Sequence, residues 1–368
     1  MLIHGRNGAF AVLAVTAMAL FAPGVASAHH DLVIYKAEAH VDLESDEKTV
    51  SVSCDAGDHA LDGMWRIDHA DQDDYIDDLD NIIGAVDVLK ATPTSDSTYS
   101  FAFVKNAIGR AQVKIFVTCL KSKTQGGSHQ HTFITGGAPN VGSFFRSDGV
   151  TPGYQTSAPV TVTGTGGLVK SSFSAAACPA NFLLVSPGFE SSNYRDAAAV
   201  LTDPSPGMMR IYESNHVTNP RNWTWKFENS ALPLNYTTDV VVKWRCLKIK
   251  LPVDGFDKHK LVPKFKSPVF FNPKKHKVSE GQYHCGSHYK AIVAGFQIPE
   301  DLVNDQSNYN TDGTGLKFWV PPAFAFNNIF YLGMDPRPKT RAYRFANRST
   351  TTTWPVKLTA LCLDYRTT

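Results

Sequence analysis

Residues 50–65 read VSVSCDAGDHALDGMW, and two later stretches follow the same scheme: SAAACPANFLLVSPGF at 174–189 and GQYHCGSHYKAIVAGF at 281–296. In each stretch a cysteine opens a short apolar run. Nine or ten residues later, a glycine is followed by a large apolar side chain. The chain therefore contains three copies of one unit.

Each unit also has a matching closing stretch, in which an aromatic-x-Phe step and an asparagine lead into an alternating strand that ends in Cys-Leu. Alternation with a period of two indicates β-strands with one buried face. Such a face has to be covered by a second sheet. We therefore predict an all-β protein of three tandem, disulfide-closed, antiparallel β-sandwich-like domains.

The cysteines define the boundaries of these units. The chain has six, which allow fifteen pairings, but one cysteine opens and one closes each unit. The predicted disulfides are Cys54–Cys119, Cys178–Cys246 and Cys285–Cys362. Because a disulfide needs α-carbons about 4.4–6.8 Å apart, the first and last strands must be neighbours or face each other across a thin core. We expect each unit to close into an independent domain in an oxidising compartment.

The first 28 residues have the features of a secretory signal peptide. A weakly positive start at His4 and Arg6 precedes an apolar run at 9–22 and the small-residue sequence Ala-Ser-Ala at 26–28. That run is too short for a good membrane span, and no later stretch reaches ~18 apolar residues. We expect an exported chain that begins near His29, has no membrane span and is secreted, periplasmic or at the cell surface.

Composition predicts how the units are connected. A loop of some fifty residues without strands is unusual in a compact domain, so short strands are expected between the first two units, with Val160 and Val162 in an edge strand. Apolar residues interleaved with lysines predict that the later basic connector packs on another part of the molecule. Residues 82–89 fit either a helix or a strand. The predicted order is a signal peptide at 1–28, β domains at 29–121, 173–249 and 279–368, a Gly/Ser/Thr-rich connection or elaboration at 122–172, and a basic, proline-rich connector at 250–278.

Charge is distributed unevenly along the chain. Between Cys54 and Cys119, twelve aspartates stand against five basic residues, which gives a net charge of −7. Residues 248–277 contain nine lysines and two aspartates, a net charge of +7. Complementary charges of this kind promote and orient association, so we predict self-association, or contact with another surface protein, through these two regions. Solvated surface charge is the competing interpretation. The overall charge of +2 argues against a nucleic-acid partner.

Two groups of residues are candidate metal ligands. Asp71, Asp73 and Asp77 offer the carboxylate oxygens that calcium prefers. Their segment lacks the glycine and glutamate positions of an EF-hand loop, and this favours the competing interpretation, a solvated acidic loop. A chain beginning at His29 would also have a terminal amine beside an imidazole, which suits copper. The second histidine would then be one of His40, His129 and His131. No cofactor other than these is expected.

The sequence contains no nucleophile-elbow, zinc-protease or P-loop motif. Repetition without a catalytic constellation predicts a non-enzymatic structural or adhesive protein, as a subunit of a cell-surface or extracellular assembly. A secreted module that binds a glycan or another surface ligand is the alternative, and an N-terminal-His copper enzyme is the third hypothesis. The aromatic residues that could form a glycan-binding platform are Trp223, Trp225, Trp319 and Tyr331. Their alternating strand spacing is also typical of core residues.

Overall fold

Every described element of regular structure is a β-strand, which confirms the predicted all-β class. Within the described ranges, no helix has the length and apolar character needed to cross a membrane. The signal-peptide prediction for 1–28 lies outside these ranges. The computed structural model describes residues 31–43, 47–69, 86–105, 111–125, 145–146, 155–156, 160–163, 169–174, 177–178, 180, 182–191, 209–216, 219–229, 237–249, 261–265, 267–298, 309–311, 317–319, 329–337 and 339–364.

The strands fall into three modules that correspond to the three sequence units. The first module contains β1 (Ile34–Leu43), β2 (Glu47–Ser53), β3 (His59–His69), β4 (Val86–Pro93), β5 (Thr98–Lys105) and β6 (Ala111–Leu120). The second contains β7 (Phe145–Arg146), β8 (Gln155–Thr156), β9 (Val160–Thr163), β10 (Val169–Ser174), β11 (Phe182–Ser191), β12 (Met209–Asn215), β13 (Thr224–Asn229) and β14 (Thr237–Lys248). The third contains β15 (Pro263–Phe265), β16 (Val269–Phe271), β17 (Lys277–His284), β18 (Tyr289–Gln297), β19 (Tyr309–Thr311), β20 (Lys317–Trp319), β21 (Ile329–Arg337), β22 (Thr340–Asn347) and β23 (Val356–Asp364).

Each module divides its strands between two sheets, as a sandwich does, except that β19 and β20 of the third module form a separate two-stranded sheet. In the first module the order is β1-β6-β3 in one sheet and β2-β5-β4 in the other. The second module repeats this order with β14-β11 and β10-β13-β12, and the short strands β7, β8 and β9 pair with the outer side of β14. The third repeats it with β23-β18 and β17-β22-β21, and β15 and β16 flank β23. These pairings are antiparallel, as predicted.

Neighbouring modules are joined by strand pairing. We call β3, β11 and β18 the glycine strands, because they contain the repeated glycines, and β4, β12 and β21 the partner strands. The glycine strand β11 pairs with β4 of the first module, β18 pairs with β12 of the second, and β3 pairs with β21 of the third. The described strands thus form three large sheets of six, seven and eight strands, and each is shared by two modules. The order closes on itself, from the third module back to the first.

The three disulfides have the predicted pairing, with α-carbons 5.7, 5.7 and 5.8 Å apart in chain order. Cys54 follows β2 and Cys119 lies on β6, which belong to different sheets. The disulfide therefore ties the two layers of the sandwich together across the core. Closing a loop of 65 residues stabilises the fold by roughly 4 kcal/mol on the chain-entropy model.

The connecting regions also contain the predicted strands. Val160–Thr163 is an edge strand on β14, and Val86–Pro93 resolves the ambiguous stretch as a strand from residue 86 onward. Residues 82–85 lie outside the described ranges. In the basic connector, β15 and β16 pair with β23, so the connector packs on the third module. The interleaved apolar residues explain this packing, because Leu261 is buried.

Candidate functional site

Two of the repeated glycines lie where a glycine strand meets the partner strand of the preceding module. A Cβ atom on Gly188 would lie 2.8 Å from the carbonyl oxygen of Ala91, and one on Gly295 would lie 2.3 Å from that of Ser214. Real Cβ atoms do not approach backbone so closely. These glycines therefore permit the modules to join, which is a role that the sequence repeat did not reveal.

The third junction uses a different glycine. A Cβ on Gly63 would meet the ring of Tyr99 in its own module, 2.1 Å away. Across the junction, Gly333 of β21 has φ +121 and sits against the backbone of Trp65 and Arg66 in β3. A positive φ together with close backbone approach requires glycine, so here the partner strand supplies it.

Aromatic rings from the three modules meet where the junctions converge. Trp65 of the first module lies edge-on to Phe189 of the second, at 6.1 Å, and to Tyr331 of the third, at 5.6 Å. Tyr331 stacks on Phe296 at 3.8 Å. These contacts make the cores of the modules continuous, and aromatic pairs of this kind add to the energy of burial.

A small cavity of about 30 Å³ lies at this convergence. The three residues that precede the repeated glycines, Asp62, Pro187 and Ala294, all line it. Space of this size can hold a water molecule. It is too small for a metabolite-sized ligand, since ligand pockets are typically ~300–1,000 Å³.

Asp62 brings a carboxyl group into the apolar centre and is 3% exposed. Its Oδ2 accepts a hydrogen bond of 3.1 Å from the backbone N–H of Ala294. Burial raises the pKa of Asp62 to about 7, although the positive charge of Arg341 and hydrogen bonds from two backbone N–H groups lower it. This carboxyl therefore changes charge near neutral pH inside the junction of the first and third modules.

Two buried arginines also connect modules. Arg341 of β22 donates from Nη2 to Thr118 Oγ1 of the first module, at 2.8 Å, and to the carbonyl oxygen of Ala291, at 2.7 Å. Its Nε has no hydrogen-bond partner among the described residues. Arg245 of β14 reaches the first module, where it forms an ion pair of 3.1 Å with Asp96. Both arginines thus bind acceptors across a junction.

Each junction also contains a polar contact between side chains of a glycine strand and its partner strand. Contacts of this kind are worth little when exposed and more when partly buried, and they favour the observed register of the strands. They are Lys90–Glu190 at 2.9 Å, Glu213–Gln297 at 3.0 Å and Arg66–Asp335 at 3.2 Å.

Several aspartates of the acidic first module serve these internal contacts. Asp58 accepts hydrogen bonds from Tyr35 and from the backbone of Ser122. Asp68 forms ion pairs with Arg66 and Lys114, and also with Arg344 of the third module. Like the buried Asp62, these groups are therefore engaged within the molecule. The six aspartates at 71–80 lie outside the described residues.

The basic connector, in contrast, has exposed apolar and basic side chains. Val269 and Phe270 of β16 are 41% and 66% exposed, and they are the large apolar residues exposed in the described part of the chain. Lys274, Lys275 and Lys277 follow them and are also exposed. The sequence shows the lysine charges. It does not show that Phe270 is exposed while its neighbour Phe271 packs against Phe345.

Trp223 and Trp225 are core residues and 1% exposed. This confirms the core interpretation of their alternating spacing and excludes both residues from a glycan-binding platform. Trp225 lies on the buried side of β13, and Trp223, which immediately precedes this strand, is buried on the same side. Tyr331 is packed among rings in the centre. The side chain of Trp319 lies outside the described residues, and the glycan hypothesis for it stays a prediction.

The metal hypotheses fall largely on undescribed residues. Asp71, Asp73 and Asp77 lie outside the described ranges, and the copper candidates His29, His129 and His131 do as well. His40 is exposed on β1, opposite Lys114 in the strand pairing. Among the residues that are described, no three His, Cys, Asp or Glu side chains form a group that could hold a metal ion.

Comparison with protein-family models finds no match for this chain. Comparison with curated proteins finds no significant match either. Function has therefore to be inferred from the fold and its contacts.

Proposed function

We propose that this protein is an exported, non-enzymatic structural or adhesive subunit that assembles with other copies of itself at a cell surface or in an extracellular structure. The observation that carries the proposal is the cyclic joining of three like modules. Buried charged side chains, including Arg245, Arg341 and Asp62, lie at the joints, and the cavity that Asp62 lines is only about 30 Å³. Such an arrangement is suited to a rigid building block.

The chemistry of the compartment supports this role. The three disulfides indicate an oxidising extracellular or periplasmic environment, because cytosolic thiols are kept reduced. Export through residues 1–28 is part of the proposal. Intact mass and N-terminal sequencing of the protein from its native host test it, and a chain that still begins at Met1 would contradict export by cleavage.

The charge distribution supports assembly. The aspartates at 71–80 and the exposed lysines at 274–277 carry opposite charges in different modules. Contact between unlike patches on two copies is heterologous, so it can propagate into rings or filaments.

Light scattering coupled to size-exclusion chromatography tests the assembly at low and high salt. Salt of 1 M shortens the screening length to about 3 Å, from about 30 Å at 0.01 M. We expect oligomers at low salt that dissociate at high salt. A strict monomer at every salt and protein concentration would contradict the proposal.

A further inference from the structure

We infer that residues 269–277, which we call the β16 strip, are the docking site for the acidic segment 71–83 of a second copy of this chain. This contact rests on the self-assembly proposed above and names the two surfaces that form it. The segment reads DQDDYIDDLDNII. It combines six aspartates with Tyr75, Ile76 and Leu79 and contains no basic residue.

Strand β16, which begins the β16 strip, lies at an unpaired edge of the seven-stranded sheet. Val269, Phe270 and Phe271 pair with Leu358, Lys357 and Val356 of β23, respectively. No described strand pairs with the other side of β16. An open edge offers backbone N–H and C=O groups to an incoming segment, which is a common mode of peptide recognition.

Two other edge strands of the described sheets, β1 and β17, are protected by polar residues. The exposed positions of β1 are Lys36, Glu38, His40 and Asp42, and the exposed positions of β17 include Glu280 and Gln282. Charged and polar residues on an edge discourage unwanted pairing. Strand β16 itself, Val269–Phe271, instead exposes Val269 and Phe270 and has no charged residue. It therefore lacks this protection, and exposed apolar patches of this kind mark interaction sites.

Charge selects the occupant of the strip. Lys274, Lys275 and Lys277 are exposed and form no ion pair with other described residues. A partner must therefore offer both acidic and apolar groups. Segment 71–83 offers both, whereas the described aspartates Asp58, Asp62 and Asp68 are engaged inside the molecule.

Two variants of the strip separate its apolar and electrostatic parts. Phe270→Ser removes the exposed ring, and the triple change Lys274→Glu, Lys275→Glu and Lys277→Glu reverses the charge. The matched control makes the same charge change at exposed lysines elsewhere, namely Lys36→Glu, Lys48→Glu and Lys339→Glu. Because all seven side chains are exposed, the variants should fold, which circular dichroism checks.

Sedimentation analysis of the full chain then measures self-association. We expect each strip variant to weaken association by about tenfold or more, as loss of an interface anchor does, and the control triple by about twofold at most. If the wild type associates and both strip variants associate equally well, the β16 strip is not the docking site, although the proposed assembly stands. If the wild type never associates, the proposed function itself fails.

A synthetic peptide of residues 71–83 tests the other partner directly. We expect fluorescence anisotropy to show that the labelled peptide binds the full chain and displaces its self-association, that Phe270→Ser abolishes binding, and that a peptide with the six aspartates replaced by asparagine does not bind. A peptide that binds neither the wild type nor the variants, while the wild type still self-associates, would overturn segment 71–83 as the occupant.

Discussion

The Nη2 group of Arg245 donates a hydrogen bond to the backbone carbonyl oxygen of Ala60, which lies 185 residues earlier in the chain. Arg245 belongs to the second module and Ala60 to the first, and the side chain of Arg245 is 0% exposed. The same guanidinium group donates to Asp96 and to Ser186. One buried cation therefore satisfies acceptors on both sides of a module junction.

Replacing this arginine should weaken the junction. Arg245→Met removes the charge-assisted hydrogen bonds, so we expect a loss of roughly 2–4 kcal/mol in the free energy of unfolding. Urea unfolding followed by tryptophan fluorescence measures it. Lys243→Met on the same strand is the control, because Lys243 is 26% exposed and its ion pair with Glu190 is long, at 4.0 Å. Similar losses in both variants would show that Arg245 does not hold the junction.

The repeated glycine in the third module should tolerate no side chain. Gly295→Ala places a Cβ 2.3 Å from the backbone oxygen of Ser214, so the second and third modules would have to separate locally. We expect a cost of about 2 kcal/mol or more, measured as a lower unfolding midpoint.

Gly57→Ala is the comparison for that variant. A Cβ at Gly57 meets nothing within 4 Å, but its φ of +85 is unfavourable for alanine. This variant should therefore lose only about 1 kcal/mol, from backbone strain alone. A Gly295→Ala variant that is as stable as Gly57→Ala would contradict the close approach of the two strands.

The buried Asp62 should make stability decrease as the pH rises. Burial raises the pKa of Asp62 to about 7 in the folded state, from an ordinary value near 3.8. The folded chain therefore binds this proton more tightly than the unfolded chain does. The stability that the bound proton contributes is lost as the pH rises through 7. Asp62→Asn stays neutral and retains an acceptor for the Ala294 N–H. We expect this variant to be more stable than the wild type at pH 8, by up to about 4 kcal/mol.

Chemical denaturation at pH 5, 6, 7 and 8 measures this difference. Asp55→Asn is the control, because the side chain of Asp55 is exposed, and it should leave the pH dependence of the wild type unchanged. A Asp62→Asn variant with the same pH dependence as the wild type would show that Asp62 is not the titrating group.

His216 should act in the opposite direction, on the acid side. Its ring packs edge-on against Trp223 at 4.5 Å, and burial lowers its pKa to about 3. In the unfolded chain the ring binds a proton near pH 6.5. The stability contributed by the neutral ring in the folded chain is therefore fully present above that pH and is lost as the pH falls toward 3. We expect His216 to account for about 3 kcal/mol of the loss between pH 6.5 and 4.

His216→Phe should reduce this acid sensitivity, because phenylalanine fills a similar volume and has no charged form. His284→Phe, at an exposed position on β17, should not reduce it. Unfolding curves at pH 6.5, 5 and 4 make the comparison. Equal acid sensitivity in the wild type and His216→Phe would exclude this residue as the cause.

The strands and disulfides could be predicted because their signals are local. In β6, β14 and β23, side chains alternate along the chain up to a cysteine near the strand end, so each closing strand could be identified within nine to twelve residues. The expectation that each unit closes into an independent domain did not include the strand pairing between units. The pairing of β11 with β4 involves Phe189 and Ala91, nearly a hundred residues apart, and nothing in either strand identifies the other.

The candidate sites divide in the same way. The lysines of the connector are a compositional signal, and they were found. Trp223 and Trp225 have the composition of a binding platform, but their position on a buried face makes them core residues. Arg245 looks like an ordinary surface residue in the sequence, since a buried arginine is recognisable only once its acceptors are in place.

By itself, the amino-acid sequence determined the number of modules, their β structure and which cysteines pair. These properties follow from the period-two alternation of side chains and from cysteine positions within each repeat, and neither requires knowledge of distant contacts. Only the tertiary structure decided that the modules share their sheets, that glycines permit the backbones to meet, and that Asp62 and Arg245 are buried at junctions. The physical reason is that strand edges and buried charges are satisfied by whichever groups the folded chain brings within hydrogen-bonding distance.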